Sequence, residues 1–323
     1  MSKMNKVLAA VLVIAGWFGS IGCNSDGAQG SGASAKQASL LSATAPAIHG
    51  NEWFKCVRFA SPSDGWAAGS EGKILRTTNG GKTWVMQESG TTQWLYGMSF
   101  ASATAGCAVG AAGTVVRTSD GGATWTAGVS GFSGVLYGVA LLDAGTAVAV
   151  GQDGAILKST DGGATWSARS SGTAQWLYAV TFADASTGWA VGFSGTVLKT
   201  MDGGETWTFQ SAGSTNLYSV DFSDAMNGCA VGANGAILAT RNGGATWMPQ
   251  ASGTAEALTG VAFAGPNLGW AVGHAGTLLR TKDGGETWKA MDSGSDEILW
   301  GIGARNTDHG VAVGSGATIL RVD

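Results

Sequence analysis

A tryptophan that returns every 40 or 41 residues, and a glycine that keeps the same period, predict an all-β chain folded as a seven-bladed β-propeller. The tryptophans are Trp84, Trp125, Trp166, Trp207, Trp247 and Trp288, and the glycines are Gly69, Gly110, Gly151, Gly192, Gly232, Gly273 and Gly314. Self-similarity at about 40 to 45 residues is the mark of a four-stranded blade, which cannot bury its faces alone and stacks with its neighbours into a ring.

Each repeat divides into four short β-rich runs separated by glycine turns. In the fourth repeat an inner strand ends at Phe182, a second strand spans Gly188 to Gly192, and a third spans Thr196 to Thr200. The phrase from Asp202 to Trp207 then turns the chain into the outer strand. Trp66, Trp189 and Trp270 share one second-strand position with Cys107, Val148, Cys229 and Val311, so that position is expected to be core.

The glycine clock ticks seven times and the tryptophan phrase six, because the sequence stops at Asp323 where a seventh phrase would follow. An unpaired strand edge is a liability, so an N-terminal strand is expected to complete the last blade. Shifting by one period sets Ala43 to Ile48 opposite Trp84 to Ser89, and this segment is expected to pair with Ile319 to Val322. Pro46 suits an outermost strand, where its missing amide proton is tolerated.

The tryptophan phrase resembles the Asp-box, Ser/Thr-x-Asp-x-Gly-x-Thr-Trp, of sialidases, sortilin-type receptors and related propellers. Its acids are Asp120, Asp161, Asp202 and Asp283, with Asn79 and Asn242 in the other two copies. The side chain accepts backbone hydrogen bonds, the glycines adopt positive φ, and the tryptophan packs under the turn. One acid per blade, exchangeable for an amide, reads as a structural staple. A buried tryptophan withdraws about 150 to 250 Å² from water, worth at most about 4 to 6 kcal/mol.

Residues 1–22 read as a secretory signal: Lys3 and Lys6 precede an apolar stretch from Val7 to Ile21 that is short for a membrane span. Ser20-Ile21-Gly22-Cys23 resembles a bacterial lipobox, with Ser20 where leucine is usual, which makes Cys23 the expected lipidated residue. Residues 23–42 are rich in glycine, serine and alanine and are expected to form a flexible tether, with the propeller occupying 43–323. The expected location is the periplasmic or cell-surface side of a bacterial membrane, on a lipid anchor. The chain carries a formal charge of −4, which argues against nucleic acid as a partner. Cys56, Cys107 and Cys229 read mainly as small buried hydrophobes; a Cys56–Cys107 bridge between adjacent blades is the alternative.

Catalysis has little to rest on. All four tyrosines, Tyr96, Tyr137, Tyr178 and Tyr218, fall at one repeat position at the start of the inner strand, which Lys55, Thr259 and Trp300 complete. Four in register suit architecture or a shared surface better than a single nucleophile. The acids outside the boxes mostly fall in turns, the three histidines lack metal-ligand spacing, and no phosphate-loop pattern accompanies the glycine–aspartate phrases. No cofactor is expected.

Two sets of residues are candidates for binding a partner. The loops that lead into the inner strands should share a face with the turns between second and third strands, opposite the Asp-boxes, and they carry Trp53, Trp94 and Trp176. Large aromatics near loop tips can anchor interfaces. The second set is cationic: the third strands end in Arg76, Arg117, Lys158, Lys199, Arg280 and Arg321, with Ala239 the exception.

The combined motif, Leu-Tyr-Gly-Val-x-Phe, Gly-Trp-Ala-Val-Gly-x-x-Gly-Thr-x-Leu-Arg/Lys-Thr and Asp-Gly-Gly-x-Thr-Trp, resembles the photosystem II stability and assembly factors from about residue 43 onward. Residues 217–247 and 258–288 carry nearly complete copies. The resemblance implies a seven-bladed, noncatalytic scaffold, commonly membrane-tethered, that binds a protein partner such as a membrane complex or its assembly intermediate, with an arginine-rich patch implicated in binding. Similar propellers occur in bacteria without photosystems. A single closed ring is expected to be monomeric. The alternative is a carbohydrate-binding or glycoside-hydrolysing propeller of the sialidase kind.

Overall fold

The computed structural model describes residues 39–40 and 51–322. Among them, seven four-stranded antiparallel sheets follow one another in chain order. Blade one is built from Phe54–Phe59, Gly65–Gly69, Ile74–Thr77 and Val85–Gln87, and the later blades repeat this pattern. Blade seven contains Leu299–Ala304, Gly310–Gly314 and Ile319–Val322, and its fourth strand is Ser39–Leu40.

That closing strand lies upstream of its expected place. Ser39 pairs with Arg321 and Leu40 with Leu320, the register in which Val85 faces Arg76 and Met86 faces Leu75 in blade one. From Val85 to Leu95 the chain advances 10 residues, and from Ser39 to Phe54 it advances 15. The sequence reading gave the seam the same connection length as the repeats, whereas the seam connection is longer. The segment 43–48, with Pro46, lies outside the described residues, as do the signal, Cys23 and most of residues 23–42.

The core lies between the blades. One apolar cluster joins Cys56, Trp66, Ala68 and Ile74 of blade one to Leu95, Met98, Ala108, Val116 and Trp125 of blade two. Another joins Val311, Val313 and Ile319 of blade seven to Phe54, Val57, Leu75 and Trp84 of blade one, so the ring closes on the same contact that builds it. Second-strand Trp66, Trp189 and Trp270 are fully buried. Trp189 stacks on Phe222 of the next blade with centroids 3.5 Å apart, and Trp66 on Phe100 at 3.7 Å.

Sterics explain the glycine clock. At Gly110 the backbone is extended, yet a Cβ there would lie 1.9 Å from the carbonyl oxygen of Trp94, because the loop into the inner strand runs directly over the second strand. Gly97 plays the same part at the axis, where a Cβ would approach the Tyr137 carbonyl to 2.6 Å. The inner strands can crowd the ring centre because that position is held by Gly or another small residue.

The Asp-boxes are hydrogen-bonded staples. Asp120 Oδ1 accepts from the Thr124 amide at 2.9 Å and from Thr118 Oγ1 at 2.8 Å, and its Oδ2 accepts from Thr124 Oγ1 at 2.7 Å. In the first box Asn79 Oδ1 accepts from the Thr83 amide, and its Nδ2 donates to Thr83 Oγ1 at 2.8 Å. Rotation of the threonine hydroxyl makes acid and amide interchangeable. Of the box tryptophans, Trp84, Trp125, Trp247 and Trp288 are buried and Trp166 and Trp207 half-buried; Trp166 donates from Nε1 to the Gly163 carbonyl. Cys56, Cys107 and Cys229 are buried free thiols, so Cys56 and Cys107 do not bridge. Burial pushes the Cys56 thiol up to about 11 and that of Cys107 to about 12.

Candidate partner-binding face

The seven inner strands converge on a central cavity of about 90 Å³. At its upper mouth the four tyrosines form an arc, with centroids 5.6 Å apart from Tyr96 to Tyr137, 5.3 Å from Tyr137 to Tyr178 and 5.6 Å from Tyr178 to Tyr218. The arc follows from the repeat: the second residue of each inner strand sits beside a chain bulge, where Leu95 pairs with Gly110 but Gly97 with Val109, and every blade delivers that residue to the axis.

The loop tryptophans extend this arc. Trp94 lies 6.2 Å from Tyr96, Trp176 lies 6.0 Å from Tyr137, and Trp53 lies 5.8 Å from Trp94 and 6.1 Å from Trp300. All four indoles are half-buried. The sequence-selected Trp53, Trp94, Trp176, Tyr96, Tyr137, Tyr178 and Tyr218 are therefore brought together as one aromatic surface around one end of the channel.

Two members of that surface were missed as site residues, Lys55 and Trp300. The Lys55 ammonium stands 3.1 Å from the Trp300 ring centroid and 5.0 and 5.8 Å from those of Trp53 and Trp94, an aromatic cage for a cation. His274 closes against Trp300 at 5.8 Å. Burial pushes Lys55 down to about 7, since a desolvated ammonium is disfavoured. Burial likewise raises Tyr96 and Tyr137 and takes Tyr178 to about 12, so these phenols keep their protons. The available signal was that Lys55 and Trp300 occupy the tyrosine position of blades one and seven.

The cationic set lies elsewhere. Arg76, Arg117, Lys158, Lys199 and Arg280 stand one step before an Asp-box threonine or serine, and Arg321 precedes Val322; Arg76, Lys158 and Lys199 reach toward the box glycines of the following blade. Arg76 lies over Trp66, 3.7 Å from Asp64. Lys158 is buried and pairs with Glu205 at 2.8 Å, which also takes Arg169 at 2.7 Å. Lys199 donates to the Gly243 carbonyl at 2.8 Å. Where Ala239 breaks the pattern, Arg241 donates to the Gly284 carbonyl at 2.9 Å instead. Arg117, Arg280 and Arg321 hold the same register, opposite Cys107, Trp270 and Val311. Repeat symmetry spreads the set around the lower side as separate points. Among the described residues no group of three His, Cys, Asp or Glu side chains is placed to hold a metal ion.

Solved structures with this fold include YCF48 bound to D1 peptide, 22% identical with a TM-score of 0.70 over 88% of this chain and 94% of that one. YCF48 from Cyanidioschyzon merolae is 20% identical, with a TM-score of 0.69 over 84% and 95%. The GH74 enzyme of Niastella koreensis is 16% identical, with a TM-score of 0.71 over 85% of this chain and 53% of that one. At such identities the likeness concerns the fold. No curated protein matches the sequence. The family described as Photosynthesis system II assembly factor YCF48 matches residues 45–174 and 210–296, more than half of the chain. The chain belongs to the YCF48 family of photosystem II assembly factors.

Proposed function

We propose that this protein is an exported, lipid-anchored, noncatalytic scaffold that binds a protein partner through the aromatic mouth of the ring and assists a membrane complex or its assembly intermediate. The observation that carries the reading is the continuous run of half-buried rings from Trp300 through Trp53, Trp94 and Tyr96 to Tyr218. Large, rigid amphipathic rings clustered at one site supply contact area at small entropic cost, the chemistry of a protein-binding hot spot. Membership of an assembly-factor family and the D1 peptide bound by a distant relative of this fold support a polypeptide as ligand. Export and anchoring rest on residues 1–22 and Cys23.

Copurification from native membranes tests the reading. Wild-type protein is expected to retain one protein complex, and Trp53→Ala with Trp94→Ala to lose it while remaining folded; retention by the double variant would refute the assigned face. The sugar-directed alternative draws on fold likeness to GH74 enzymes and on the half-buried indoles of the mouth, which also suit sugars. Glycoside hydrolysis needs two carboxyl groups flanking the bond, whereas the cavity is lined by Lys55, Arg58, four tyrosines and small or apolar residues. Turnover of aryl glycosides would favour that alternative.

A further inference from the structure

The aromatic mouth contains one cation whose environment is unlike that of any other on its face. Lys73 is paired with Glu52 at 3.0 Å and Glu71 at 3.1 Å. Among the described residues, Lys55 is the cation of this face that has rings in place of a carboxylate partner. Around it the loop tips carry exposed acids, Glu71, Asp153, Glu256, Asp296 and Glu297. This charge pattern, a single recessed positive point inside a negative rim, admits one anion on an apolar stem. It repels a polyanion or an anionic bilayer.

Resting on the protein-binding reading above, we propose that the mouth is a receptor for a single carboxylate side chain of a peptide, seated on Lys55, with flanking apolar residues packed on Trp53, Trp94 and Trp300. A carboxylate placed there exchanges a cation–π contact for a charge-assisted hydrogen bond in a partly desolvated site, where such bonds are strong. The phenols of the arc stay protonated and can donate to the second carboxylate oxygen.

Binding must also move a proton. The ionisable groups facing Lys55 are His274 of blade six, with Glu256 beyond it, Tyr96 of blade two, and Arg58 farther down its own strand. Lys55 is about half-neutral near pH 7 when the site is empty, and a carboxylate partner raises it. Peptide binding therefore takes up protons above pH 7, and affinity falls as pH rises through that range. Burial holds His274 below its ordinary value, so it is neutral at pH 8 in the empty site and uptake there is dominated by Lys55.

The test uses full-length protein and two peptides, acetyl-Leu-Phe-Glu-Phe-Leu-amide and its Gln counterpart, followed by tryptophan fluorescence and by calorimetry in two buffers of different ionisation heat. The Glu peptide is expected to bind about tenfold tighter at pH 6.5, to take up part of a proton at pH 8, and to lose its advantage in Lys55→Met. Equal binding of the two peptides, or a preference that survives Lys55→Met, overturns the proposal. So does Lys55-dependent binding to phosphatidylglycerol vesicles without discrimination between the peptides. If neither peptide binds, the carboxylate receptor is refuted while copurification still judges the wider reading. Should Lys55→Met not fold, the presence or absence of proton uptake by wild-type protein decides alone.

Discussion

The Asp-box carboxylates show how one side chain holds a turn and ties it to pH. Hydrogen bonds from the Thr124 amide and hydroxyl hold Asp120 down at about 2, and those from Thr165 do the same for Asp161. An unfolded aspartate titrates near 3.9, so each of these two carboxylates contributes stability that is fully present above about pH 4 and is lost as pH falls toward 2. Replacing Asp120 and Asp161 with Asn, which the first and fifth boxes already carry, is expected to leave the thermal midpoint near pH 7 almost unchanged and to flatten its decline below pH 4. Melting curves across that range check this. The phenols give a second expectation: burial raises Tyr96, Tyr137 and Tyr178, so tyrosinate absorbance should develop mostly above the pH at which free tyrosine ionises.

At the level of the strand, close approach between backbones sets the limits. A side chain at Gly97 would drive into the Tyr137 carbonyl of the next inner strand, and neither backbone can retreat without opening the ring. Gly97→Val is expected to cost about 1–3 kcal/mol or more, read as a lowered denaturation midpoint. Truncation that removes Ser39–Leu40 exposes the edge of Ile319–Val322; it should lower the thermal midpoint by several degrees and promote self-association, seen by light scattering. The number of strands per blade and the core role of Trp66, Trp189 and Trp270 were legible because the repeat states them seven times. The seam strand was misplaced by several residues because its connection occurs once and has no period to read. The partners of Arg76, Lys158 and Lys199 come from neighbouring turns, a relation that sequence spacing does not express.

Across the whole molecule, the ring sorts its chemistry between two ends. Asp-boxes and the cations that brace them lie toward one side, and the aromatic mouth with Lys55 occupies the other. The tyrosine arc could be read from sequence as one repeat position, but its union with Trp53, Trp94 and Trp176, and the cage around Lys55, needed the closed ring. If Cys23 carries lipid, Cys23→Ser should release the protein from the membrane fraction and abolish labelling by a fatty-acid probe. A photo-crosslinking residue placed at Trp94 on the mouth, and in a separate variant at Lys82 on the Asp-box side, tests the central claim most directly in intact native membranes. Crosslinks to one protein from position 94 and none from position 82 are predicted; the reverse pattern would contradict the assignment of the binding face.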